Sequence, residues 1–189
     1  MCIEASKIFE VFNNASVSAF LGAFAAYFLV AFTDWRRRRL KVTLLHRRVE
    51  INKELAQAKL ETARTNIAMV EEDGRFMSAP VMRFPAEDVR ILQREALDML
   101  TATNLHALDA LIYWMEAIDG LFQEAYVASR ELEELAKAQA PDKDRIVKAK
   151  ALLREYKAAE RNLVEFIELS DHYINGNPEK ILGFKKAIE

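Results

Sequence analysis

The chain of 189 residues contains only 5 glycines and 4 prolines; 51% of it is hydrophobic, 30% is charged, and the formal net charge is −2. So few turn residues exclude a fold rich in hairpins, and so much apolar content excludes a disordered chain. The single cysteine, Cys2, excludes an internal disulfide, no Cys/His group has metal-ligand spacing, and no glycine-rich phosphate loop occurs, so neither metal nor cofactor is expected.

What remains is an all-α chain whose core is made by packing alone. The small net charge and a mean hydropathy of −0.10 are averages over segregated parts. Between Glu10 and Asp34 the only ionisable residue is Tyr27. Residues 11 to 33 read as a transmembrane helix, because about 35 Å of helix covers a hydrocarbon core of about 30 Å. A secretory signal would carry its basic residues before the apolar run. Here Trp35, Arg36, Arg37, Arg38, Arg39 and Lys41 follow it. The positive-inside rule then places the N-terminus outside and the C-terminal body in the cytoplasm. The short translocated N-terminus and the arginine bias point to a bacterial inner membrane. Trp35 is expected as an interfacial anchor, and Arg36 to Arg39 are attracted to the headgroups of the lipid bilayer by about 1 kcal/mol each. A buried helix of a soluble core is the competing reading; such a helix rarely ends in four arginines.

On a helical wheel Ala15, Ser18, Ala19, Gly22, Ala23 and Ala26 share one face, opposite Phe20, Phe24, Tyr27, Phe28 and Phe32. Ser18, Gly22 and Ala26 form two overlapping small-xxx-small steps, a surface on which a second span packs closely. With one span per chain, the simplest partner is another copy, giving a homo-oligomer; a lone anchor is the other reading. Asn13, Asn14, Ser16 and Ser18 make the outer half polar, for interhelical hydrogen bonds, a wet pore-facing surface, or a place among the headgroups.

The tail and span, 1–34, precede a body, 35–189, expected as an elongated cytoplasmic bundle of three or four helices. No Gly or Pro interrupts Trp35 to Glu72, so the membrane helix is expected to continue. Its apolar residues form two stripes, Leu40, Leu44, Ile51 and Leu55, and Leu45, Val49, Leu60, Ala63 and Ile67. Two stripes imply two sets of neighbours, the chain's own bundle and a second protomer. Residues 73 to 85, DGRFMSAPVMRFP, read as a loop whose Phe76, Met77, Val81, Met82 and Phe84 either pack on the bundle or await a partner. Residues 86 to 139 read as one helix, bent near Thr101 to Asn104 or at Gly120. Its core stripe is Ile91, Leu92, Leu97, Leu100, Leu105, Leu108, Leu111, Ile112, Met115, Ile118 and Phe122. Ala140, Pro141 and Asp142 stop it. A helix from about 143 to 173 carries Ile146, Leu152, Leu153, Tyr156, Leu163, Phe166, Ile167 and Tyr173, and Asn175, Gly176, Asn177 and Pro178 end it before a short helical tail. Residues 35 to 64 are basic and the long second helix is acidic.

Few side chains suggest chemistry. His106 and Asp109, one turn apart, suit either an acid/base pair or a structural contact. Asp171 and His172 are explained by the helix end, whose carbonyls favour an imidazolium. The arginine-rich segment lacks interleaved aromatic platforms, so nucleic acid is not expected as a partner. Arg39 and His46 have an R-x6-H spacing that resembles the motif of HEPN ribonucleases, in which arginine holds phosphate and histidine acts as acid or base. The layout of one N-terminal span, an arginine run and a helical body with this degenerate motif resembles the small HEPN-like membrane accessory proteins of type VI-B CRISPR systems. That resemblance implies a ring-shaped pore lined by the N-terminal helix, with cytoplasmic bundles in contact, that depolarises the infected cell in antiviral defence. The expected function is therefore a non-enzymatic, homo-oligomeric inner-membrane protein. The alternative is a membrane-tethered adaptor that recruits a cytoplasmic protein partner, and the outsider is an RNase using Arg39 and His46.

Overall fold

The computed structural model describes residues 15–73, 82–139 and 141–184. The expected polar residues Asn13 and Asn14, and the loop residues Phe76, Met77 and Val81, lie outside them. Every element among the described residues is helical: α1 (Ala15–Asp73), α2 (Ala86–Glu95), a 3-10 turn (Leu97–Met99), α3 (Ala102–Lys137), α4 (Asp142–Ile174) and α5 (Glu179–Phe184). The chain divides into two compact units, Met1–Lys41 and Val42–Glu189, and α1 contributes to both.

In the second unit α1, α3 and α4 supply the core. Asn52 of α1 reaches Met115 and Lys59 reaches Asp119, so α1 and α3 run in the same direction. Lys53 pairs with Asp171 at 2.6 Å, Arg64 with Glu160 at 2.8 Å and Lys157 with Glu71 at 2.6 Å, so α4 returns antiparallel to α1. Each of these surface pairs contributes about 0–1 kcal/mol; apolar burial does most of the work. One cluster gathers Leu45, Val49, Leu108, Leu111, Met115, Ile118, Leu163 and Phe166, closed by Phe84 and by Ile181 of α5. A second joins Ala63, Val70, Ala125, Leu132, Leu152 and Tyr156.

The helix ends follow local chemistry. Thr101 caps α3, its Oγ1 accepting from the Asn104 N–H at 3.2 Å. α4 begins behind Pro141 with Asp142 and Asp144 in its first turn, both favourable to the helix dipole, and carries His172 in its last turn. Gly176 at φ 73° ends α4, with Asn177 N–H donating to His172 O at 2.8 Å and Gly176 N–H to Tyr173 O at 3.2 Å, the paired bonds of a Schellman ending.

Four expectations need correction. Residues 86 to 139 are not one bent helix: the chain breaks between Glu95 and Ala102, because the Thr101 hydroxyl starts a new helix, while Gly120 lies inside unbroken α3. Ile91 and Leu97, expected in the core, are 45% and 53% exposed, since that break turns their faces outward. Ile146 is likewise exposed, near the start of α4. On α1 the buried line is Leu45, Val49, Asn52, Ala56, Lys59, Ala63, Asn66 and Val70, an alternating spacing of four and three, with Leu60 and Ile67 only half-buried. Three polar residues occupy that line, so apolar periodicity alone does not trace it. Phe84 packs, as one of the two loop readings had it, whereas Met82 is exposed.

Candidate functional site

The first unit holds the most unusual surface. α1 is the one described helix long and apolar enough to cross a membrane, and no part of its apolar window is buried inside the protein. Phe20, Phe24, Tyr27, Phe28, Leu29 and Val30 are each between 60% and 74% exposed. Ser18, Ala19, Gly22 and Ala26 are exposed too, and the Ala15 side chain lies outside the description. A Cβ built at Gly22 meets nothing within 4 Å. Two hydroxyls here are engaged within the protein: Thr33 Oγ1 donates to Leu29 O at 2.6 Å, and Ser18 also has a partner.

An aromatic ladder leads to the basic end. The rings of Phe28 and Phe32 lie 6.4 Å apart, Phe32 and Trp35 5.9 Å, and the Arg39 guanidinium sits 5.3 Å from the Trp35 ring centroid. The indole thereby carries a cation on its face, a pairing suited to the boundary between hydrocarbon and headgroup. Arg36, Arg37, Arg38 and Arg39 are all exposed, and α1 continues through them without a break.

Arg39 and His46 stand seven residues apart on α1, a helical rise of about 10.5 Å. Arg39 leans on Trp35, and His46 packs against Tyr173 with ring centroids 5.0 Å apart. Burial holds the His46 imidazole below its usual value, with Glu50 offsetting part of the effect. Asp109 accepts from Gln93 Nε2 at 2.8 Å, a structural contact between α2 and α3, and His106 is exposed. Asp171 holds Lys53, and His172 lies 3.8 Å from Glu168. Among the described residues no group of His, Cys, Asp and Glu could hold a metal ion.

The sequence reading missed two buried polar features of the second unit. Lys59 is almost wholly buried, with its ammonium 2.6 Å from Asp119 Oδ1 and within 4.4 and 4.9 Å of the Phe84 and Phe122 ring centroids. Asp119 Oδ2 also accepts the Phe84 N–H at 2.8 Å, and the Phe84 ring packs tilted against Phe166, so one ion pair fixes the chain entering α2. Burial pushes the Lys59 ammonium below its usual value, against the pull of Asp119. Near the start of the body Asn52 Oδ1, Ser170 Oγ and the Tyr173 hydroxyl are buried without a partner, and burial pushes Tyr173 up to about 12. The four-three spacing of Asn52, Lys59 and Asn66 with their apolar neighbours was the available signal. No family model, no curated protein and no solved structure matches this chain.

Proposed function

We propose that the apolar half of α1 is a single transmembrane span, that copies of the chain assemble through it, and that the assembly is a membrane pore governed by the helical body. The body is an elongated bundle on the cytoplasmic side of a bacterial inner membrane, with the N-terminus outside.

One observation carries the reading: the apolar segment buries none of its side chains in its own protein. A core helix of a soluble protein would be covered. Each large apolar side chain left in water forgoes about 1.5–3 kcal/mol. Six of them together rival the stability of a whole domain, about 5–15 kcal/mol. Lipid removes that cost without any protein contact. Two further features agree with it: the internally bonded Thr33 hydroxyl and the Trp35–Arg39 pair. The open space around Gly22 agrees with a face left for another span.

Gly22→Leu tests self-assembly, because the added side chain meets nothing in the protomer and reports only on what approaches from outside. Light scattering of the detergent-extracted protein should give a closed multimer for the wild type and a smaller species for the variant, and reconstituted bilayers should conduct only with the former. A monomeric wild type would overturn the reading and favour a tethered adaptor, for which the exposed Ile91, Leu97 and Met99 beside α2 offer a recruiting surface.

A further inference from the structure

We infer that Arg36 and Arg37 bind the phosphate of an anionic phospholipid, and that this lipid supplies the counter-charge that strengthens the closing of neighbouring spans on one another. The inference rests on the membrane and self-assembly reading above and names the ligand on which it depends.

The geometry is that of a collar. Consecutive helix positions turn by about 100°, so four arginines in a row cover the whole circumference, and no direction lies more than about 50° from one of them. All four side chains are exposed. Whichever face two parallel copies present to each other, each copy therefore brings an arginine to the seam at the same depth. On the small-residue face the choice is specific. Ser18, Gly22 and Ala26 centre on a direction midway between those of Arg36 and Arg37, about 15 Å further along the axis from Ala26. Asp34, the acidic residue adjoining the collar, lies about 110° from that midline, nearer to Arg37 and Arg38 than to Arg36. Arg39 is held differently, over the Trp35 ring.

Where two copies meet through their small faces, four guanidinium groups come together, two from each copy; in a ring, where the small face of one copy meets another face of the next, the collar still brings at least one from each. Packed helix axes lie about 8–10 Å apart, comparable with a Debye length of about 8 Å at physiological salt, so dissolved ions screen this repulsion only in part. A phosphate diester at the headgroup level lies at the right depth, and its oxygens match the guanidinium fork in two-point hydrogen bonds. A zwitterionic headgroup brings its own cation with its phosphate and leaves the net charge of the seam unchanged; an anionic headgroup neutralises it.

Full-length protein labelled with donor or acceptor dye at Cys2, its one cysteine, is reconstituted in vesicles of phosphatidylcholine alone or of phosphatidylcholine with phosphatidylglycerol, and association is read as energy transfer. Wild-type association should be at least about tenfold tighter with phosphatidylglycerol. The double variant Arg36→Gln/Arg37→Gln should associate in phosphatidylcholine alone and lose that dependence. Inorganic phosphate added to the neutral vesicles should not replace the lipid; if it does, the ligand is a dissolved anion and the lipid assignment fails. Raised salt supplies a check without any variant: it should strengthen wild-type association in neutral vesicles, and weakening there would contradict the inference. Equal association in both lipids, or a double variant with the full wild-type dependence, overturns the lipid role and leaves self-assembly standing. No energy transfer in any vesicle from inserted protein overturns both.

Discussion

From Val17 to Thr33, α1 has small residues on one face and large apolar side chains on the opposite one and buries none of its apolar window, whereas from Leu45 to Val70 it buries one narrow line of eight residues, three of them polar. Backbone and helix are the same in both stretches; the difference is what surrounds them. In the second stretch the buried line meets named partners on α3, as Lys59 meets Asp119 and the Asn52 amide N–H meets the Met115 sulfur. In the first, the apolar window is not buried against any of the described residues, and composition is what points to the environment. A surface that is apolar all round specifies a solvent, while a surface apolar along one line specifies a neighbour.

The sharpest way to break this contrast is to place the same charge in both stretches. Leu45→Arg buries an unpaired guanidinium in the core and should cost more than about 4 kcal/mol, enough to abolish cooperative thermal unfolding of the body. Phe24→Arg should leave that unfolding unchanged and instead weaken insertion by about 2.5–3.5 kcal/mol, read as a shift of the protein from the carbonate-resistant pellet to the supernatant. If Phe24→Arg lowered the unfolding temperature as Leu45→Arg does, the two stretches would not differ in kind.

The smallest effect expected is with pH, and it belongs to the packed stretch alone. Burial against Tyr173 depresses His46 in the folded protein, so the unfolded chain binds the extra proton first as pH falls. Stability from this group is present above about pH 6.5, the unfolded value, and is lost as pH falls through the lower folded value. The unfolding temperature should drop by a few degrees across that window, and less so in His46→Gln. An equal drop in the variant would assign the effect to other groups.

The elements readable in the sequence were those with local causes. Unbroken helix from Trp35 to Glu72 followed from the absence of Gly and Pro, and the end of α4 followed from Asn175, Gly176, Asn177 and Pro178, where Gly176 does adopt the left-handed conformation. The break before α3 was visible only as a bend, because the Thr101 cap competes closely with helix continuation. Of the singled-out side chains, the exposure of Ser18, Ala19, Gly22 and Ala26 and the Trp35–Arg39 contact emerge from the structure, while His106 and Asp109 take separate roles.

The sequence by itself determined the apolar segment, its arginine collar and the helical class, since length, composition and turn residues act over a few neighbouring positions. Only the tertiary structure decided which line of α1 faces the body, that Lys59 is buried, and that Ile91, Leu97 and Ile146 are not. A lysine that keeps its charge inside a protein needs a counter-charge to meet it there. For Lys59 that counter-charge is Asp119, sixty residues away in the chain and 2.6 Å away in space.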